Sequence, residues 1–164
     1  MGNELHETDE NTGTMEVLER HQFDVSKLQD FMYENVDGFE GDIKLEEFKG
    51  GQSNPTYKVI TPNQSYVLRR KPPGKLLKSA HAVDREYKVI TGLNKTDVPV
   101  PKSYALCEDD DVIGTAFYLM EFKDGRVLWD AAMESSDKEE ASGVYESMND
   151  LSLIHISEPT RQQG

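Results

Sequence analysis

Between Ile43 and Arg70 the chain places three strand-length runs, Ile43 to Lys49, Tyr57 to Ile60 and Tyr66 to Arg70. The joins are Gly50-Gly51-Gln52-Ser53-Asn54-Pro55 and Thr61-Pro62-Asn63-Gln64, and Pro72-Pro73-Gly74 stops the third run. Short runs rich in Val, Ile, Leu and Tyr, closed by Gly, Pro and Asn, pair with their sequence neighbours, so this stretch predicts an antiparallel meander. The flanks read as helices. Upstream, Leu28, Phe31, Met32 and Val36 recur at helical spacing behind Asp24 or Ser26 as N-cap, with Gly38 beyond the end. Downstream, Ser79 offers a cap for a second helix with Val83, Tyr87 and Ile90 on one face and Gly92 near its end.

Val98-Pro99-Val100-Pro101 must be extended, because proline and the residue before it resist helical dihedrals. Two more strands are expected at Ser103–Glu108 and Ala116–Phe122, parted by the acidic turn Asp109-Asp110-Asp111, and helical text follows around Val127–Met133 and Lys138–Asp150. Residues 1–21 are polar, acidic and without periodicity, and read as a flexible arm.

Charge is strongly segregated. Of 164 residues, 18 are Lys or Arg and 31 Asp or Glu, a net of −13, yet residues 49–103 hold 11 basic and 3 acidic side chains. That +8 island lies between segments of −11 (residues 1–48) and −10 (residues 104–150). A local cationic island in an acidic chain suits a small anion, whereas a nucleic-acid binder is usually basic overall; a solvated lysine-rich face is the plainer alternative. No run reaches the roughly 20 apolar residues of a membrane helix, and the first 20 residues carry neither a secretory core nor an Arg-rich presequence. The single cysteine, Cys107, and the dispersed His6, His21, His81 and His155 give no disulfide and no structural metal site, so an intracellular, reducing compartment is expected.

Three features bear on chemistry. The loop Gly50-Gly51-Gln52-Ser53-Asn54 can bring backbone N–H groups close to a ligand oxygen, although a plain hairpin turn would use the same residues, and no Gly-Lys-Ser/Thr follows to make it a Walker loop. Arg69 sits on the third strand and Glu86 on the helix 17 residues later, the arrangement that fixes a long cation for phosphate; an exposed charge pair is the alternative. Arg70 and Lys71 could compete for that role, but strand alternation sends Arg70 to the face opposite Arg69. Finally, Phe117-Tyr118-Leu119-Met120-Glu121-Phe122 is an apolar strand entering the polar linker Lys123-Asp124-Gly125, and is either plain core or a strand whose end meets a purine edge.

The order of these features resembles a protein-kinase-like small lobe, closest to the aminoglycoside and choline phosphotransferase-like branch. The words GGQSNPTYKV (50–59), YVLRRKPPGKLLKSAHAVDREYKVI (66–90), VPVPK (98–102) and FYLMEFKDGRVLWD (117–130) resemble the kinase-like N-terminal domain of acyl-CoA dehydrogenase family members ten and eleven, over about residues 22–135. The resemblance implies an α+β fold: a five-stranded antiparallel sheet with one packed helix, an N-terminal helix and the start of a large lobe. It implies a nucleotide-covering loop at Gly50, Gly51, Gln52, Ser53 and Asn54, a phosphate-facing Arg69 with Glu86 as its helix partner, and Glu121 and Phe122 at the adenine-contacting linker. It also implies ATP with magnesium, a hydroxyacyl-CoA acceptor, and FAD only in a dehydrogenase domain outside this chain.

The family's His-Gly-Asp catalytic loop does not occur in these 164 residues. The expectation is therefore an inactive N-terminal fragment: an arm over 1–21, a small lobe over 22–123, a linker and first large-lobe helices over 124–150, and a non-native tail over 151–164. The tail's Leu151-Ser-Leu-Ile-His-Ile-Ser-Glu-Pro-Thr-Arg161 resembles a translated adapter sequence. A non-catalytic nucleotide-binding or protein-interaction module is the alternative, and a peroxisomal or mitochondrial parent is compatible with the absent leader.

Overall fold

The computed structural model describes residues 12–49, 54–74, 82–125, 133 and 136–157. The chain divides into two units, Met1–Asp124 and Gly125–Gly164. Gly50, Gly51, Gln52 and Ser53, the expected cap Ser79, all but Met133 of the helix expected over Val127–Met133 and the last residues of the expected tail lie outside the described residues.

The first unit is built on a six-stranded antiparallel sheet, in the order β1 (Thr14–Met15), β2 (Lys44–Phe48), β3 (Thr56–Ile60), β4 (Ser65–Arg70), β6 (Phe117–Glu121) and β5 (Ser103–Cys107). The meander is β2-β3-β4, with Tyr57 opposite Leu68 and Thr56 opposite Arg69. The sixth strand is β1, which pairs Thr14 with Phe48 and Met15 with Glu47. This corrects the five-strand expectation, and it sets Thr14 and Met15 of the expected arm against that sheet. The Thr14 hydroxyl donates to Glu46 Oε2 at 2.7 Å and the Leu18 N–H to Glu47 Oε2 at 3.0 Å. Glu47 is buried, and its Oε1 lies 2.6 Å from His21 Nδ1. A buried carboxylate needs such partners, and here the N-terminal segment provides them.

Helix α1 (Val25–Asn35) starts where Asp24 Oδ1 accepts the Ser26 N–H at 3.0 Å, satisfying one of the donors left open at a helix start. The Ser26 contacts also hold the Asp24 carboxyl below its ordinary value. Leu28, Met32 and Val36, one helical turn apart, are buried against Tyr57, Val59, Tyr66, Leu68, Phe117 and Leu119. Each fully buried side chain of this kind contributes roughly 1.5–3 kcal/mol, so this face is the main core.

Helix α2 (Val83–Leu93) covers the opposite face, with Val83 buried and Tyr87 and Ile90 packed on Tyr118 and Met120. No side chain caps it; the Ala82 carbonyl accepts the N–H of Arg85 and of Glu86, and Asp84 and Glu86 in the first turn face the positive end of the helix dipole. Its far end is tied to the sheet by Asn94, whose amide donates to the Pro101 carbonyl and whose Oδ1 accepts the Ser103 N–H, both at 2.9 Å. The acidic stretch after β5 winds into a single helical turn, α3 (Asp110–Ile113), with Asp109 Oδ1 accepting the Asp111 N–H and Gly114 closing it at φ 87°. Only glycine takes that left-handed conformation without strain.

The second unit contains α4 (Lys138–Ser157), which continues past residue 151. Asp137 Oδ1 accepts the Glu140 N–H at its start. Among the described residues no helix is long and apolar enough to cross a membrane.

Candidate functional site

Strand register produces the site. Thr56, Arg69 and Tyr118 lie side by side on β3, β4 and β6. Since alternate residues of a strand share a face, all three point to the α2 side, while Arg70 points to the α1 side. Glu86, one turn into α2, meets this row from above.

Glu86 is the hub. Its Oε2 accepts from Arg69 Nε at 2.7 Å and from the Tyr118 hydroxyl at 3.1 Å, and its Oε1 accepts from Asn54 Nδ2 at 3.3 Å. Arg69 Nη1 reaches Thr56 Oγ1 at 3.4 Å, and that hydroxyl donates to the Asn54 carbonyl at 3.0 Å. The ion pair is half-exposed, 31% at Arg69 and 36% at Glu86, whereas Asn54 and Tyr118 are buried. Burial raises the Tyr118 phenol far above its ordinary range and the Glu86 charge raises it further, so it stays a neutral donor at any physiological pH. Beside the pair opens a cavity of about 710 Å³, lined by Arg69, Arg85, Glu86, Ile90, Tyr118 and Met120.

The linker residues occupy another part of this face. Phe122 stacks on Phe48 with centroids 6.4 Å apart and planes 22° from parallel, and Lys58 Nζ lies 4.1 Å from the Phe122 centroid. Glu121 turns elsewhere: its carboxylate takes Lys123 Nζ at 2.7 Å and the Lys102 N–H at 3.1 Å. Those contacts, Lys123 first, hold its pKa below the usual glutamate value. The Glu121 N–H is also taken, by the Lys102 carbonyl at 2.8 Å. Its carboxylate and its N–H are thus both engaged within the protein.

Of the residues singled out from sequence, Arg69, Glu86 and Asn54 converge, Phe122 lies apart with Phe48, and Glu121 serves the β5–β6 connection. Arg70 does not compete with Arg69: it is buried on the opposite face. Sequence reasoning missed Thr56, Tyr118, Phe48 and Lys58. One signal was available for Tyr118, since a tyrosine inside an apolar strand needs a hydrogen-bond partner for its hydroxyl.

The family model described as the phosphotransferase enzyme family (APH) matches residues 44–152. The chain is 38% identical over 154 residues to mouse (Mus musculus) acyl-CoA dehydrogenase family member 11, covering 91% of this chain and 20% of that protein. It is 42% identical over 116 residues to mouse acyl-CoA dehydrogenase family member 10, covering 70% of this chain and 11% of that protein. It thus spans a fifth or less of these relatives' length. A solved structure of a candidate aminoglycoside phosphotransferase from Ralstonia eutropha JMP134 superposes with a TM-score of 0.68 at 48% identity, covering 79% of this chain and 37% of that one. The kinase-like small-lobe arrangement, the carboxylate-anchored cation on its central strand and the match across residues 44–152 agree, and the chain belongs to the phosphotransferase enzyme family.

Proposed function

We propose that this chain carries the phosphate-gripping half of an ATP-dependent phosphotransferase acting on a small-molecule hydroxyl. The observation that carries this reading is the Arg69–Glu86 pair, a guanidinium on a central strand held through Nε at 2.7 Å by a helix carboxylate. Phosphoryl transfer spreads negative charge over the equatorial oxygens of the moving group, so catalysis rests on positive charge fixed in advance. Arginine suits this division of labour, because its Nε can serve Glu86 while the Nη edge meets phosphate oxygens. In the same reading the backbone of Gly50–Ser53 covers the phosphates, and Phe48 and Phe122 offer flat apolar faces to the base.

Among the described residues no group of three His, Cys, Asp or Glu side chains gathers; magnesium on a nucleotide takes most of its ligands from phosphates and water and needs only one or two carboxylates. The reading assigns the catalytic base and metal ligands to the family's His-Gly-Asp loop and its downstream carboxylate, and because that loop does not occur in these 164 residues it predicts no turnover by this chain. Relatives named for acyl-CoA point to a hydroxyacyl-CoA as acceptor, with flavin chemistry left to portions of those proteins that this chain does not match.

The test is a Mg-ATP titration followed by thermal shift, on the chain and on Arg69→Ala. A concentration-dependent rise in Tm that weakens at least tenfold in the variant is the expected result. A parent that shows no shift overturns the nucleotide reading in favour of an interaction module. Phosphorylation of a hydroxyacyl-CoA by the chain alone overturns the placement of the base elsewhere.

A further inference from the structure

We infer that Tyr118 is a positioning residue for Arg69, acting through the shared carboxylate oxygen of Glu86; the inference rests on the nucleotide-site reading above. Arg69 Nε and the Tyr118 hydroxyl donate to the same atom, Glu86 Oε2, at 2.7 and 3.1 Å. An ion pair between two half-exposed side chains holds its own geometry poorly, because both partners lose rotamer freedom for a small electrostatic gain. Tyr118 is different. It is 2% exposed, packed with Val83 and Ala116, and its ring centroid lies 6.0 Å from that of Tyr87 on α2. The core fixes the ring, and the ring fixes the hydroxyl.

Asn54, 4% exposed, donates to the other oxygen, so the carboxylate is held on both sides by groups that cannot wander. A carboxylate oriented this way selects one orientation of the guanidinium. Nε is engaged by Glu86 and Nη1 rests on Thr56, while Nη2 has no hydrogen bond among the described residues. The hydroxyl thus determines which edge of Arg69 is presented to a phosphate.

A merely space-filling tyrosine would leave Arg69 unaffected by loss of its hydroxyl. The exchange of the Arg69 Hε proton with water, read by nitrogen-15 NMR on the full chain and assigned by its disappearance in Arg69→Lys, reports the pair directly. In Tyr118→Phe the exchange should accelerate at least about tenfold, the lower end of the scale expected for losing one hydrogen bond to a charged group, and the Kd for Mg-ATP should rise in parallel. Exchange within twofold of the parent overturns the inference, whatever happens to Tm. If Tyr118→Phe does not fold, 4-fluorophenylalanine at position 118 fills the same space without a donor and is judged by the same limits. Failure of both to fold also overturns it, since the hydroxyl would then be a folding determinant. The NMR readout needs no nucleotide, so faster exchange in a chain that never binds Mg-ATP would refute the nucleotide reading and leave the positioning role standing.

Discussion

Arg69 and Arg70 are neighbours on one strand, and strand alternation gives them opposite environments. On the α2 face, Arg69 is half-exposed, salt-bridged to Glu86 and beside a cavity. On the α1 face, Arg70 is 3% exposed, and among the described residues no carboxylate oxygen lies within ion-pair distance of it. Its guanidinium lies 5.2 Å from the Phe23 centroid and 5.9 Å from that of Tyr57, Nη1 donates to the Ile113 carbonyl at 3.5 Å, and Nε has no partner. Burying a cation without a counter-ion costs stability, whereas the exposed cation costs little and remains available to an anion. The two faces of the sheet therefore give neighbouring arginines opposite settings, one buried among aromatic rings and one paired beside a cavity.

The largest effect should come from the buried partner. Arg70→Met keeps an unbranched apolar stem and removes the desolvated charge, so its unfolding free energy should lie within about 1 kcal/mol of the parent or above it. Arg70→Ala leaves a void as well, and should fall about 2–3 kcal/mol below Arg70→Met. Urea denaturation of the three proteins decides this. If Arg70→Met alone loses 3 kcal/mol or more, the contacts to Ile113, Phe23 and Tyr57 outweigh desolvation, and the contrast between the faces is weaker than drawn.

A second prediction uses Tyr57, which is fully buried on the Arg70 face and donates to the His21 carbonyl at 3.0 Å. Burial pushes its phenol up to about 12 against an ordinary value of 10.0; Arg70 opposes the shift and Glu47 adds to it. A folded pKa above the unfolded one means stability that is complete below pH 10 and lost as pH rises toward 12. The loss attributable to this group is about 2 kcal/mol by pH 12. Tyr57→Phe lacks the hydrogen bond, so it should be about 1 kcal/mol less stable than the parent near pH 8. It also lacks the titration, so the two stability curves should cross between pH 10 and 12. Parallel curves would show that Tyr57 ionises no differently in the folded and unfolded states.

Much of this architecture was legible from local pattern, and the failures have physical causes. Helix α1 and the β2-β3-β4 meander follow from apolar spacing and turn residues, which are properties of contiguous sequence. The Arg69–Glu86 pair could be read because it needs only strand alternation and one helix packed on that face. Tyr118 could not, because β6 inserts between β4 and β5, and that non-sequential order sets its register opposite Arg69. Strand β1 was invisible for another reason: two residues carry no period, and Thr14 and His21 are held by contacts to Glu46, Glu47 and Tyr57, some thirty residues away in sequence. Glu121 ends β6, where the Lys102 N–H and Lys123 Nζ engage its carboxylate, an arrangement made by groups brought together only in the folded sheet.

The smallest predicted effect on stability belongs to Arg69, the residue given the largest functional role. Its pair with Glu86 is about one-third exposed on each side, and such pairs contribute roughly 0–1 kcal/mol once side-chain ordering and solvent screening are counted. Arg69→Met should therefore lower the unfolding free energy measured by urea denaturation by no more than that amount, below the Arg70→Ala loss. Glu86 retains Tyr118 and Asn54 as donors, so the carboxylate left behind is not orphaned. A loss above about 2 kcal/mol would mean that Arg69 supports the α2–sheet contact as heavily as a core residue. The cavity-side arginine would then be part of the packing, and the contrast between the two faces would fail at the residue on which it was built.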